Sequence, residues 1–110
     1  MDYQRLHDEL LRKAQSGHWG YTSSELECHH VTPLSLGGRD SPSNWCYVPI
    51  RVHYLLHIIL VKLGHIDQVF AVELIARRMR LRLPGWIRRL LNRRRQQLYR
   101  EANRSRLSEC

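Results

Sequence analysis

A small α+β fold dominated by helices is the architecture this sequence predicts, and three observations predict it. Apolar side chains recur at helical spacing over residues 2–16 and again from Arg51 onward. Only two short runs between those stretches carry strand-type residues. The 110 residues are enough for one hydrophobic core with a helical extension, and too few for two independent cores.

Each element has its own signal. Asp2 is placed to cap a helix in which Tyr3, Leu6, Leu10 and Ala14 recur at helical spacing and Gly17 is the stop. The periodicity vanishes over HWGYTSSELECHHVTP, where Gly20, Ser23 and Ser24 mark a loop. Glu25–Val31 then reads as a short strand, stopped by Pro33. The turn-rich LSLGGRDSPSN, with its Gly37-Gly38 pair, is a surface loop. Trp45–Ile50, WCYVPI, is a second strand in which Pro49 marks an edge or a fraying end. The helical pattern resumes at Arg51 and runs to Leu63, with Val52, Leu56, Ile59 and Leu63 as its apolar stripe and Gly64 as its stop. Asp67 begins another helix through about Leu83, ended by Pro84-Gly85, and a last helix covers about Trp86–Arg104. Residues 1–66 therefore form one unit, and residues 67–110 an Arg-rich extension that either shares it or is appended to it.

Composition excludes several classes. An apolar fraction of 43% is ordinary for a globular chain and argues against disorder. The longest hydrophobic stretch, LLHIILVKL, is broken by His57 and Lys62 and falls short of the roughly 18–20 residues that span a bilayer. MDYQRLHDELL lacks the apolar core of a signal peptide, so a soluble, cytoplasmic protein is expected. Cys28, Cys46 and Cys110 are widely spaced and form no Cys-x-x-Cys pair, which speaks for reduced thiols. His7, His18 and His65 read as ordinary surface or helix-end histidines, and Trp19, Trp45 and Trp86 as core or edge aromatics.

The charge is divided. Residues 1–70 carry a net −1, and residues 71–110 carry twelve arginines against three glutamates, a net +9. Arg matches phosphate with a planar fork, so an all-Arg excess points to nucleic acid; a merely solvated helix face is the plain alternative. Arg88, Arg89, Arg93 and Arg95 of the last helix are the candidate phosphate contacts, while Ile87, Leu90, Leu91, Leu98 and Ala102 form its apolar side. Such contacts position a duplex without reading its sequence. A basic amphipathic helix on an anionic membrane or an acidic partner is the rival, outweighed by the motif described below.

His53 and His57 stand four apart on one face of the helix that begins near Arg51, at the edge of its apolar stripe. That spacing suits a divalent metal, although alone it is weak evidence. His29-His30 ends the first strand, and a strand–loop–strand–helix order folds that end toward the helix. A third His ligand leaves open coordination positions, which is the composition of a catalytic centre; a structural zinc site is normally closed by four. A fourth histidine could act as general base on water attacking a phosphodiester. The tandem pair could thus supply one ligand and one base, provided the strand ends or twists there, since neighbours in an ideal strand point to opposite faces.

The segment ELECHHVTPLSLGGRDSPSNWCYVPIRVHYLLH resembles the ββα-metal (His-Me finger) motif of HNH endonucleases, most closely the three-histidine colicin-like and small phage-type proteins. His29-His30, Asn44, His53 and His57 match in type, order and spacing, and Pro33 and Gly37-Gly38 fall where the family has them. The resemblance covers residues 20–63, slightly under half of the chain. It implies that His29, His53 and His57 bind one divalent metal and that His30 is the general base. Mg²⁺ is the expected ion for activity, with Zn²⁺, Mn²⁺ and Ni²⁺ as alternatives. Asn44 would fix the loop and orient the base, although other branches of the family use it as a ligand. Glu27 falls two before His29 and would orient an imidazole from outside the ligand set, or else stay a solvated edge carboxylate. The upstream arginine with which colicin-type enzymes grip phosphate has no counterpart among Tyr21–Leu26; Arg39 or Arg51 is the substitute the sequence offers.

The implied activity is metal-dependent cleavage of DNA in a bacterial or phage-infected cell. One site nicks one strand, so double-strand cutting requires a homodimer or successive nicks. The rival functions are a silent, metal-stabilised DNA-binding module and a nuclease for structured DNA or RNA.

Overall fold

Asp2 accepts a hydrogen bond from the Arg5 backbone N–H at 3.0 Å and starts α1, Tyr3–Ser16, which closes on Gly17 in a left-handed turn. The computed structural model describes residues 1–17, 19 and 25–108, with side chains through Arg104. The expected loop at Gly20, Ser23 and Ser24, and with it His18 and Cys110, lies outside the described residues. Strand β1, Leu26–His30, pairs antiparallel with β2, Trp45–Pro49, and the register sets His29 opposite Cys46 and His30 opposite Trp45. Helices α2, Ile50–Lys62, α3, Gln68–Met79, and α4, Gly85–Ser108, complete a mainly helical α+β chain.

The connection between the strands holds two 3-10 turns, Leu34–Leu36 and Pro42–Asn44. Here Gly38 is required by close approach: a Cβ at that position would stand 1.8 Å from the Thr32 carbonyl oxygen and 2.9 Å from Asn44 Nδ2. Pro49 does not fray the strand. It closes β2 and serves as the residue from which α2 starts, so strand passes to helix without a linker.

Two apolar clusters flank α2. Leu11, Ala14, Cys46, Val48 and Leu56 join α1, the hairpin and α2, whereas Val61, Val69, Val72, Ile87 and Leu91 join α2, α3 and α4. The single stripe expected on α2 is therefore too narrow: Leu56, His57, Ile59, Leu60 and Val61 are all buried, because the helix is covered from two sides. On α1 the buried face is His7, Leu11 and Ala14, rotated from the expected Tyr3–Leu6–Leu10–Ala14 stripe. His7 is thus not a surface histidine; it is 6% exposed and has no hydrogen-bond partner at either ring nitrogen among the described residues.

Helix α3 ends four residues before the expected Leu83. Arg80 adopts φ 54°, and the Leu81 N–H returns to the Ala76 carbonyl, a helix closure usually made by glycine. On α4 the apolar side is used only at its start. Ile87 and Leu91 are buried, but Leu98 and Ala102 are exposed, and the 58 Å long axis of the molecule accommodates this helix.

Candidate metal centre and active site

Because α2 follows β2 directly, its first two turns lie over β1, and His29, His53 and His57 meet. Their ring centroids are 5.1, 5.0 and 4.9 Å apart, and one nitrogen from each lies within 4.8 Å of the others. His53 Nδ1 donates to Glu27 Oε1 at 2.7 Å, and His57 Nδ1 donates to Gln68 Oε1 at 2.7 Å. Those bonds place the proton on Nδ1 and the lone pair on Nε2, and the two Nε2 atoms face each other at 3.2 Å. Two facing lone pairs repel unless a cation lies between them; nitrogens each about 2.1 Å from one ion stand about 3.0–3.4 Å apart. Both ring nitrogens of His29 are buried without a hydrogen-bond partner among the described residues. The donor set fits a divalent metal.

Burial makes these imidazoles good ligands by keeping them neutral. It pushes His29 down to about 2 and His57 to about 4, neighbouring imidazoles adding to the effect in both. His53 is also lowered, its burial outweighing the pull of Glu27. The unfolded chain therefore binds protons, below the ordinary histidine value of 6.5, that the folded chain refuses. Stability of the metal-free protein is full above that value and falls as pH drops toward about 4, by ~3 kcal/mol for His57 alone. Urea unfolding of metal-free protein near neutrality and near pH ~5 measures this; equal midpoints would contradict buried neutral imidazoles.

His30 lines the same pocket, of about 280 Å³, as His53 and His57. The strand ends at His30, which frees its side chain from the alternation that would send it to the opposite face. Its Nε2 donates to Asp40 Oδ1 at 3.0 Å, and the Trp45 indole N–H donates to the same oxygen at 3.0 Å. Hydrogen bonds from His30 and then Trp45 hold the Asp40 carboxyl below its ordinary range, so it is the anionic acceptor that fixes this tautomer. Sequence reading missed Asp40; its signal was an acid two residues after the Gly37-Gly38 pair.

Asn44 secures the loop. Its Oδ1 accepts from Thr32 N–H, and its Nδ2 donates to the carbonyls of Thr32 and Arg39, each at 2.8 Å. It makes no hydrogen bond to a histidine among the described residues. Glu27 is tied to His53 and also accepts from Arg78 Nη2 at 2.6 Å. Gln68 and Arg78, both from α3, were not singled out from sequence, since 11 and 51 residues separate them from their partners.

Comparison with known proteins bears on this geometry. The chain is similar to two phage endonucleases. It is 32% identical over 69 residues to probable mobile endonuclease E of Enterobacteria phage T4, spanning 63% of this chain and 48% of that protein. It is 31% identical over 64 residues to probable mobile endonuclease C of the same phage, spanning 57% of this chain and 30% of that one. The chain thus spans half or less of the curated relatives it matches. No protein-family profile and no solved structure matches it.

The arginines divide. Arg39, Arg51, Arg88, Arg89 and Arg93 are exposed and make no ion pair with another described residue. Arg95, expected among the phosphate contacts, pairs with Glu73 at 2.5 Å, and Arg94 pairs with Asp67 at 2.6 Å. No helix among the described residues is long and apolar enough to cross a membrane.

Proposed function

We propose that the chain is a metal-dependent HNH-type endonuclease that hydrolyses DNA phosphodiesters, with Mg²⁺ as the activating ion. The observation that carries the reading is the convergence of three neutral imidazoles beside a fourth whose ring is oriented by a carboxylate. With Nε2–H engaged by Asp40, His30 keeps its lone pair on Nδ1, where it takes a proton from water as the water oxygen attacks phosphorus. The P–O3′ bond breaks, leaving a 5′-phosphate, and the departing 3′ oxygen takes a proton from solvent water to become a hydroxyl. His29, His53 and His57 would hold the divalent ion, which when bound would supply positive charge to the phosphate and the leaving oxygen. Glu27 and Gln68 orient two of the three ligands, and Asn44 holds the loop that carries Asp40. The exposed arginines of α4 hold the duplex by its phosphates.

Incubation with supercoiled plasmid tests the reading. Open circles are expected to form first in Mg²⁺ or Mn²⁺, with linear DNA following, and nothing is cut in EDTA. Failure to cut plasmid, linear duplex or structured RNA with any of Mg²⁺, Mn²⁺, Ni²⁺ or Zn²⁺ would leave the silent binding module as the better account.

A further inference from the structure

Arg93, Arg94 and Arg95 are consecutive on α4 and meet three different ends. Arg94 reaches back to Asp67 at the α2–α3 junction, Nε to Oδ1 at 2.6 Å and Nη2 to Oδ2 at 3.5 Å. Arg95 turns to Glu73 on α3. Arg93 makes no ion pair with a described residue and lines a groove of about 460 Å³ between α4, the Leu34–Leu36 turn and the α2–α3 junction. Leu36 and Ile66, 41% and 38% exposed, give that groove an apolar floor. The groove adjoins the candidate active-site pocket, with Ser35, Asp67 and Gln68 lining both. Gln68, the residue that accepts from His57, also donates to Ser35 Oγ at 3.0 Å and so braces the shared wall.

We infer that this groove receives the nucleic-acid strand immediately beside the phosphodiester in the His30 pocket. Arg93 grips one of its phosphates, and Leu36 and Ile66 lie against sugar and base. The inference rests on the nuclease reading for what occupies the neighbouring pocket. The unneutralised cation of the groove is a guanidinium, whose fork matches phosphate oxygens. Asp67, the one carboxylate in the lining, is neutralised by Arg94, which ties α4 to the opposite wall at the same time. An apolar floor beside a cationic wall suits a strand with bases and sugars better than a free anion. The arrangement also places a phosphate-gripping arginine near the site from the far end of the chain, where the segment before His29 has none.

Fluorescence anisotropy of a short labelled duplex in EDTA, where nothing is cut, tests the groove. Arg93→Ala is compared with Arg12→Ala on α1, and Leu36→Glu with Leu74→Glu; each control makes the same change at an exposed position outside the groove. Arg93→Ala and Leu36→Glu should each bind on the order of 10-fold more weakly than their controls, and the double variant should lose less than the two losses combined. If either binds as tightly as its control, the strand does not run through the groove. Plasmid cutting is scored separately. Groove-dependent binding without cutting overturns the nuclease reading and leaves the groove standing, whereas cutting with groove variants equal to controls does the reverse.

Discussion

His29→Ala, His53→Ala and His57→Ala should each lose the divalent-ion binding expected of the wild-type protein in calorimetry, and Gln68→Ala should bind ~10–100-fold more weakly. The first three remove a nitrogen from a convergent set of three. The fourth leaves every nitrogen in place and removes only the acceptor that fixes the His57 ring. A metal that binds the folded state alone raises its stability by mass action, about 2.7 kcal/mol when free ion is 100 times Kd. The melting temperature of the wild type therefore rises with added metal and that of the three histidine variants does not. The metal-dependent shift is the quantity to compare, since truncating a buried imidazole also opens a cavity. Unchanged affinity in all three variants would remove the metal centre, and an unchanged Gln68→Ala would remove Gln68 from its support.

Much of the architecture was legible because local residues mark it. Asp2, Gly17 and Gly64 bound helices where the sequence has them, and Pro49 punctuates the passage from strand to helix. What escaped was set by packing. Helix α3 stops at Met79 because Arg80 takes a left-handed conformation that no local residue type announces, while Leu81 and Leu83 prolong the apolar pattern. His7 was read as surface because an imidazole is polar, yet at i, i+4, i+7 with Leu11 and Ala14 it falls on the buried face of α1. The apolar run around His57 carried the clue that α2 is central, since a helix buried on two sides loses its single stripe.

The candidate site divides along the same line. The histidines lie within 28 residues of one another, and the strand–helix order alone brings them together. Of their supports, Glu27 lies within the same segment and was legible there, whereas Gln68 and Arg78 belong to α3, which the sequence offered only as an Arg-rich extension. Helix α3 lies on α2 through Val69 and Val72, and that packing is what delivers Gln68 to His57. Long-range polar contacts of this kind have no period in the sequence, so pattern reading cannot find them.

His30→Ala should keep metal and DNA binding and lose about 10²–10⁴-fold in cleavage rate, the usual cost of removing a general base. His30 is half-buried and its only side-chain hydrogen bond among the described residues is to Asp40, so its truncation disturbs none of the three converging nitrogens. Asp40→Asn is the sharper probe. An amide can still accept from His30, but it no longer carries the charge that stabilises the ring once protonated. It should lower kcat by less than His30→Ala while leaving KM and metal affinity unchanged. Because the two residues act as one unit, the double variant should be no slower than His30→Ala alone. Rates must be compared at equal DNA occupancy, so that weaker binding is not mistaken for slower chemistry. A His30→Ala protein that cuts at the wild-type rate excludes His30 as the base. An Asp40→Asn protein that slows the His30→Ala background further would show that Asp40 acts by a route other than the imidazole, leaving the loop held by Asn44 as the place to look for it.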